Sequence, residues 1–234
     1  LSPHISIFFA LSEFIVQPAP MLPLMLLAFT AAAQTYPAHW FTSVERDPKK
    51  TWEILPQEAK PGEVILSKRH ELGLLSNFAP TPFTYRGRRY ASLEGLWQSM
   101  LYPEAKIDGK NDPRSQAKVK WAHTRAQVEQ MGAFEAKEAG RMAEENMKAL
   151  KIDWVSFEGK KFPYFTQARG EHYRIIVEAM RAKLAQNPPV QAALKATGKL
   201  KLMPDHHSEP NAPPAWRYTA IWEMLRSELT QSKE

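Results

Sequence analysis

Apolar and polar positions change period several times along the chain, and each change marks an element. Residues 63–66 (EVIL) form a short apolar run with the pattern of a strand. Phe83-Thr84-Tyr85 and Arg89-Tyr90-Ala91 flank Arg86-Gly87-Arg88, which predicts a β-hairpin turning at the glycine. From Leu93 the period lengthens. Leu93, Leu96, Trp97, Met100 and Leu101 make a buried helical stripe, with Ser92 as its N-cap. Asp112-Pro113 reads as a cap followed by a first-position proline and predicts a helix over 114–123. Thr124 and Gln127 have capping-box spacing, so a short helix follows and stops at Gly132. Residues 134–150 are helical again. The clearest amphipathic helix covers 171–184, with Tyr173, Ile176, Val177, Met180 and Leu184 on one face, and Asn187-Pro188-Pro189 ends it. A helical turn over 190–196, a returning strand over 200–203 and a last helix over 218–229 complete the pattern. The predicted fold class is α+β: a single compact, mostly helical domain with a small sheet.

Composition narrows the chemistry. The 234 residues suffice for one well-filled core, and 44% hydrophobic with 24% charged positions is ordinary for a globular protein. With no Cys, disulfides, thiolate nucleophiles and thiolate metal sites are excluded. A net charge of +6 and a pI near 9.4 favour anionic partners: nucleotides, phosphates or nucleic acid. The basic residues are spread without a long run, so a mixed solvated surface remains the simpler explanation. No glycine-rich phosphate loop, GxSxG or HExxH motif is present.

Residues 1–33 carry one charged side chain, Glu13. From Met21 the run MLPLMLLAFTAAA has the apolar core and small-residue end of a secretory signal, with cleavage expected after Ala33. It is too short to span a bilayer, and no basic segment precedes it. The expectation is a signal peptide over 1–33 (Met21 being the alternative start), export to the periplasm, and no membrane contact after removal. Without cleavage the protein stays in the cytoplasm. Residues 34–62 read as a surface lead-in segment, and 63–231 as the domain.

Several side chains are candidates for chemistry. Glu94 and Gln98, four apart, lie at one edge of the apolar stripe. A first-turn carboxylate is stabilised as the anion by the helix dipole, so Glu94 is expected to be ionised at neutral pH, able to activate water or stabilise a developing cation. A first-turn Glu that serves only the dipole is nonetheless the commoner case. Lys68-Arg69-His70 is either a charged loop or a phosphate receptor. Trp154 falls in an expected loop, as a lid over the core or a stacking surface. Asp205, His206, His207 and Glu209 invite a metal reading. Neighbours in an extended segment point to opposite sides, however, and no helical His pair supports them. A polar loop at the rim of a cleft is expected there, with no metal.

Leu75-Ser76-Asn77-Phe78, Pro82-Phe83, Gly87, Tyr90, Ser92, Glu94 and Gln98 together resemble the signature of the NADAR (YbiA-like) family, LSNF followed by PF, G, Y and S-x-E-H-x-x-Q. The similarity continues through residues 138–142, Trp154, 179–184 and the final helix, covering about 63–230. The resemblance implies a compact α+β fold and an N-glycosidase acting on ribose attached through nitrogen. Substrate types so implied are riboflavin-pathway ribosylaminopyrimidines and ADP-ribose on guanine in nucleic acid. It further implies Glu94 as the essential glutamate, Asn77 and Phe78 as pocket lining, and Trp154 as the pocket tryptophan. Two positions depart from the pattern. Gly95 stands where the family has His, and residues 205–216 replace an Asp and Trp followed by a glycine-rich loop with Asn. Asp205 or Glu209 would then supply the acidic group, and Trp216 the aromatic one.

The implied chemistry suits the residues. Breaking a C1′–N bond passes through an oxocarbenium-like state, which the Glu94 carboxylate would stabilise while orienting water. Gln98 and Asn77 would hold ribose hydroxyls or the water. Phe78, Trp97 or Trp154 would stack on the base, and Arg69, Arg86 or Arg88 would take a phosphate. No cofactor is required. Expected partners are a small-molecule N-riboside or ADP-ribosylated nucleic acid, with oligomeric state left open. The competing reading is a non-catalytic module binding ADP-ribose or a nucleotide, which would not need Glu94. A third, a sequence-nonspecific nucleic-acid binder, rests on the basic pI alone and predicts strongly salt-dependent affinity.

Overall fold

The computed structural model describes residues 35–116 and 118–231, so the segment read as a signal peptide lies outside the described residues. In chain order the elements are β1 (Glu63–Ile65), β2 (Phe83–Tyr85), β3 (Arg88–Tyr90), α1 (Leu93–Ser99), β4 (Lys106–Ile107), β5 (Lys110–Asn111), α2 (Pro113–Gln116), α3 (Arg125–Glu129), α4 (Ala133–Ala149), β6 (Trp154–Phe157), β7 (Lys160–Pro163), α5 (Glu171–Gln186), α6 (Pro188–Ala196), β8 (Lys201–Met203) and α7 (Tyr218–Gln231). The fold is α+β. In place of one small sheet there are separate two-stranded pairs: β1 with β8 in parallel, and three antiparallel hairpins, β2–β3, β4–β5 and β6–β7. No helix among the described residues is long and apolar enough to cross a membrane.

The first hairpin turns where the pattern predicts. Arg86 and Gly87 both have positive φ (47° and 75°), the two-residue geometry that matches the twist of paired strands. The helix expected over 114–123 is only one turn long. Trp121 donates its indole N–H to the Arg114 carbonyl at 3.1 Å, taking the acceptor that a continuing helix would offer to residue 118.

α1 lies at the centre of the core, packed against α3, α4 and α5, with every residue from Leu93 to Ser99 buried. Ser92 caps it as expected, accepting from the Gly95 N–H at 2.9 Å. The glycine at 95 has a steric cause. A Cβ there would stand 2.6 Å from the Met131 carbonyl oxygen and 2.8 Å from that of Val128, so any side chain would strike the end of α3. Close approach of these two helices is what excludes the histidine of the resembled pattern.

Residues 35–62, expected to form a surface lead-in, contribute to the core instead. Trp40 and Leu55 are buried, and Trp40 donates to Glu71 at 2.7 Å. The Ile54 N–H bonds the Asp205 carbonyl at 2.9 Å, tying this stretch to the loop after β8.

Candidate functional site

The turn before β2 is held from beneath. Lys183 on α5, wholly buried, donates to the Ser76 carbonyl at 2.9 Å, and Trp222 on α7 donates to that of Leu75 at 2.6 Å. Burial lowers the Lys183 ammonium to about 7. The next carbonyl, Asn77, accepts the Glu94 N–H at 3.0 Å, which docks the start of α1 on the turn. Asn77, Phe78, Glu94 and Gln98 thereby line one cavity of about 490 Å³.

Within it, Gln98 Nε2 donates to Glu94 Oε1 at 2.8 Å. Room for that amide comes from α4: a Cβ on Gly140 would stand 1.9 Å from Gln98 Oε1. Glu94 is only 7% exposed. Burial pushes its carboxyl above the usual range, and the Gln98 hydrogen bond with the positive charges of Lys137, His206 and Lys68 only partly offsets this. The expectation that the helix dipole would stabilise this carboxylate as in an ordinary first-turn glutamate is corrected: burial raises its carboxyl instead. Desolvation outweighs the dipole of a two-turn helix.

Aromatic rings form the walls. Trp97 and Trp216 meet at 6.1 Å and 70°, and Phe78 meets Phe134 edge-on at 5.3 Å. Phe134, 58% exposed, and Trp52 stand at the mouth. The Trp97 indole donates to Tyr164 Oη at 3.0 Å, and that hydroxyl donates to Glu144 at 3.4 Å. The ammonium groups of Lys68 and Lys137 lie 5.4 and 5.8 Å from the Phe78 ring centroid. Three buried polar atoms of the lining have no hydrogen-bond partner: Asn77 Oδ1, Gln98 Oε1 and Trp216 Nε1.

Of the residues singled out in the sequence, Glu94, Asn77, Phe78, Gln98 and Trp216 come together here, and His206 and His207 of the expected rim loop also line the cavity. Asp205 does not. It lies behind Lys68, accepting from that ammonium at 2.6 and 2.7 Å. Burial works against the Asp205 carboxylate, but the bonds from His206 and Lys68 win and hold it below the usual range. Arg69 is closed in a bidentate pair with Glu53 at 2.8 and 2.7 Å. Arg86 pairs with Glu158 and Glu178, and Arg88 with Glu129, so each phosphate candidate among the arginines already holds a carboxylate. Glu209 is exposed and outside the lining. Trp154 opens strand β6 in place of a loop, with its ring 4.7 Å from the Arg114 guanidinium and 5.7 Å from the Lys161 ammonium. It is neither a lid nor part of this cavity. Sequence reasoning missed Phe134, Lys137 and Glu144, whose helical spacing puts them on one face of α4. That signal was available but means little until the partner of the face is known.

No family model matches the chain, and no curated protein matches it. Among solved structures the chain is similar to the NMR structure of the E. coli protein YbiA. The two are 19% identical, the match covers 71% of this chain and 83% of that one, and the TM-score is 0.44.

Proposed function

We propose that this protein hydrolyses the bond between ribose C1′ and the nitrogen of an N-ribosylated base. The observation that carries the reading is a buried carboxylate, Glu94, braced by the Gln98 amide and set between aromatic walls. The resemblance of the stretch from Leu75 to Gln98 to the NADAR signature supports it and supplies the substrate classes: ADP-ribosylated guanine, or a ribosylaminopyrimidine of the riboflavin-pathway type.

As the C1′–N bond breaks, positive charge spreads over C1′ and the ring oxygen, and the Glu94 carboxylate stabilises it. Water adds its oxygen to C1′ and gives a proton to Glu94, and the departing base is protonated in turn. Burial makes this carboxylate a stronger base than an exposed one, which suits proton abstraction. Phe78 and Trp216 offer faces that hold the base while the bond lengthens. The chemistry asks for no cofactor.

One observation favours a second reading, a non-catalytic ADP-ribose or nucleotide-binding module. Asp205, the candidate second acid, is engaged by Lys68 and does not face the cavity. A release assay separates the two. Wild type and Glu94→Gln are offered an ADP-ribosylated guanine oligonucleotide and a ribosylaminopyrimidine phosphate, and the freed base is followed by mass spectrometry. Release by wild type with near-silence in the variant is expected; tight binding without release by either protein would establish the module instead. Export remains part of the proposal, and N-terminal sequencing of the native protein tests it: an end at Gln34 supports cleavage, an intact Met21 end opposes it.

A further inference from the structure

Asp205 does not line the cavity, but it holds a residue that does. His206 lines the same cavity as Glu94, and its Nδ1 lies 3.2 Å from Asp205 Oδ1. Asp205 is 1% exposed and held below the usual carboxylate range, so it is an ionised acceptor and the hydrogen between the two belongs to Nδ1. That fixes the tautomer and leaves Nε2 as the ring nitrogen that exchanges a proton. The mounting is firm. Lys68 grips both Asp205 oxygens at 2.7 and 2.6 Å, and the Ile54 N–H holds the Asp205 carbonyl at 2.9 Å. The His206 backbone forms an antiparallel bridge with Glu53, and its ring runs parallel to that of Tyr218 at 6.1 Å and 5°. When protonated, His206 is among the positive charges that favour the Glu94 carboxylate, with Lys137 and Lys68, so imidazole and carboxyl lie within electrostatic reach.

We infer that His206 is the proton donor to the departing base, and that Asp205 is the residue that positions it. The inference rests on the proposed hydrolysis and deepens it by naming the acid that the reaction needs. As the C1′–N bond breaks, its electron pair stays on the nitrogen, which leaves as a neutral base only if it gains a proton. The His206 imidazolium gives that proton from Nε2, while water gives its oxygen to C1′ and a proton to Glu94. Passage of the Glu94 proton to the imidazole restores both groups, and the sum is the consumption of one water. The starting states support each other, because the protonated ring favours the ionised carboxylate and the carboxylate favours the ring's charge. Asp205, read from the sequence as the acidic group of the pocket, thus enters through the imidazole it holds. His207, the next residue, also lines the cavity but is exposed.

The test is the release assay on the full chain, with the same oligonucleotide and ribosylaminopyrimidine phosphate as probes. His206→Gln is expected to lower kcat about 100-fold or more with KM little changed. Added imidazole should restore release in His206→Ala and leave wild type unchanged, a response that a merely structural loss would not give. Nitrogen NMR of the substrate-free protein reads the positioning directly: the neutral His206 ring should be protonated on Nδ1 in wild type and lose that preference in Asp205→Asn. Thermal melting establishes that each variant is folded. Release by His206→Gln within about threefold of wild type overturns the inference and leaves the hydrolase standing. Absence of rescue by imidazole, or a neutral ring protonated on Nε2 in wild type, does the same. Silence of wild type with both probes is the separate result that removes the hydrolase, and the proton donor with it.

Discussion

At the C-terminal end of α1, one buried ion pair, Arg114 with Asp112, is fully answered. Arg114 is 0% exposed, and each of its guanidinium nitrogens finds acceptors: Asp112 at 3.1 and 2.8 Å, Ser156 at 2.5 Å, and the helix-end carbonyls of Met100 and Leu101 at 3.1 Å. Asp112 spends its remaining capacity on the backbone N–H groups of Glu104 and Arg114. At the N-terminal end of the same helix, Glu94 is almost as deeply buried but has one side-chain bond, from Gln98, and acceptors beside it stand unpaired. Both remove charge from water, but the Arg114–Asp112 pair is compensated within the protein while Glu94 has only the Gln98 amide. The saturated pair needs no further partner, and Arg114 also ties down the helix-end carbonyls of Met100 and Leu101. Buried polar atoms without partners also occur away from the cavity, at Tyr90, Glu104, Arg125 and His172; those of Asn77, Gln98 and Trp216 differ in belonging to residues that line it.

The contrast can be broken by exchanging its terms. The largest effect is expected for Glu94→Gln, which should lower base release by about 100- to 10,000-fold. In wild type the rate should rise with pH through a value above the ordinary 4.5 of a glutamate, because burial raises the Glu94 carboxyl. Stability should move oppositely. The unfolded chain loses this proton first, so wild type loses stability as pH rises from about 4.5 to the higher folded value, and Glu94→Gln does not. Urea midpoints across that range compare the two, and a parallel pair of curves would remove Glu94 from the unsaturated class.

Next is Arg114→Met at the saturated end. It leaves the Asp112 carboxylate without its counter-ion and the Leu101 carbonyl without its donor, and should cost about 3–5 kcal/mol in a urea titration. A cost below roughly 1 kcal/mol would show that saturation at that end carries little of the stability.

The two glycines that frame α1 sharpen the picture. Gly140→Ala confronts the movable Gln98 amide, so release should fall about 10- to 100-fold with little change in the urea midpoint. Gly95→Ala confronts backbone carbonyls that cannot step aside, so it should cost about 1–3 kcal/mol of stability. Identical profiles for these two variants would contradict the division of labour. The smallest effect belongs to Trp154→Phe. It should weaken the stacking on Arg114 by about 0.5–1 kcal/mol and alter release by less than about twofold, read from a urea midpoint and steady-state kinetics.

Much of the local structure was legible without coordinates. The apolar stripe of α1, the Ser92 cap, the Thr124–Gln127 capping box and the hairpin turn at Gly87 depend on backbone sterics and on neighbours within a few residues, and the chain carries that information locally. The grouping of Asn77, Phe78, Glu94 and Gln98 was legible for a related reason: one short turn and one helical repeat bring them together. What the chain could not disclose was which charges meet. Arg69 and Lys68 are neighbours, yet one turns to Glu53 and the other to Asp205, 137 residues away. Trp154 joins a hairpin and stacks on Arg114 because β7 pairs with it, and nothing in its flanking residues requires that. The depth of Glu94 is decided the same way, by α4 and the loop after β8 closing over the start of α1. Backbone preference and periodicity act over a turn of chain, so the sequence alone determined the first hairpin, most of the helices and the residues clustered near Glu94. Desolvation and ion pairing depend on what the rest of the fold brings within a few ångströms, so only the tertiary structure decided which of those residues remain unpaired.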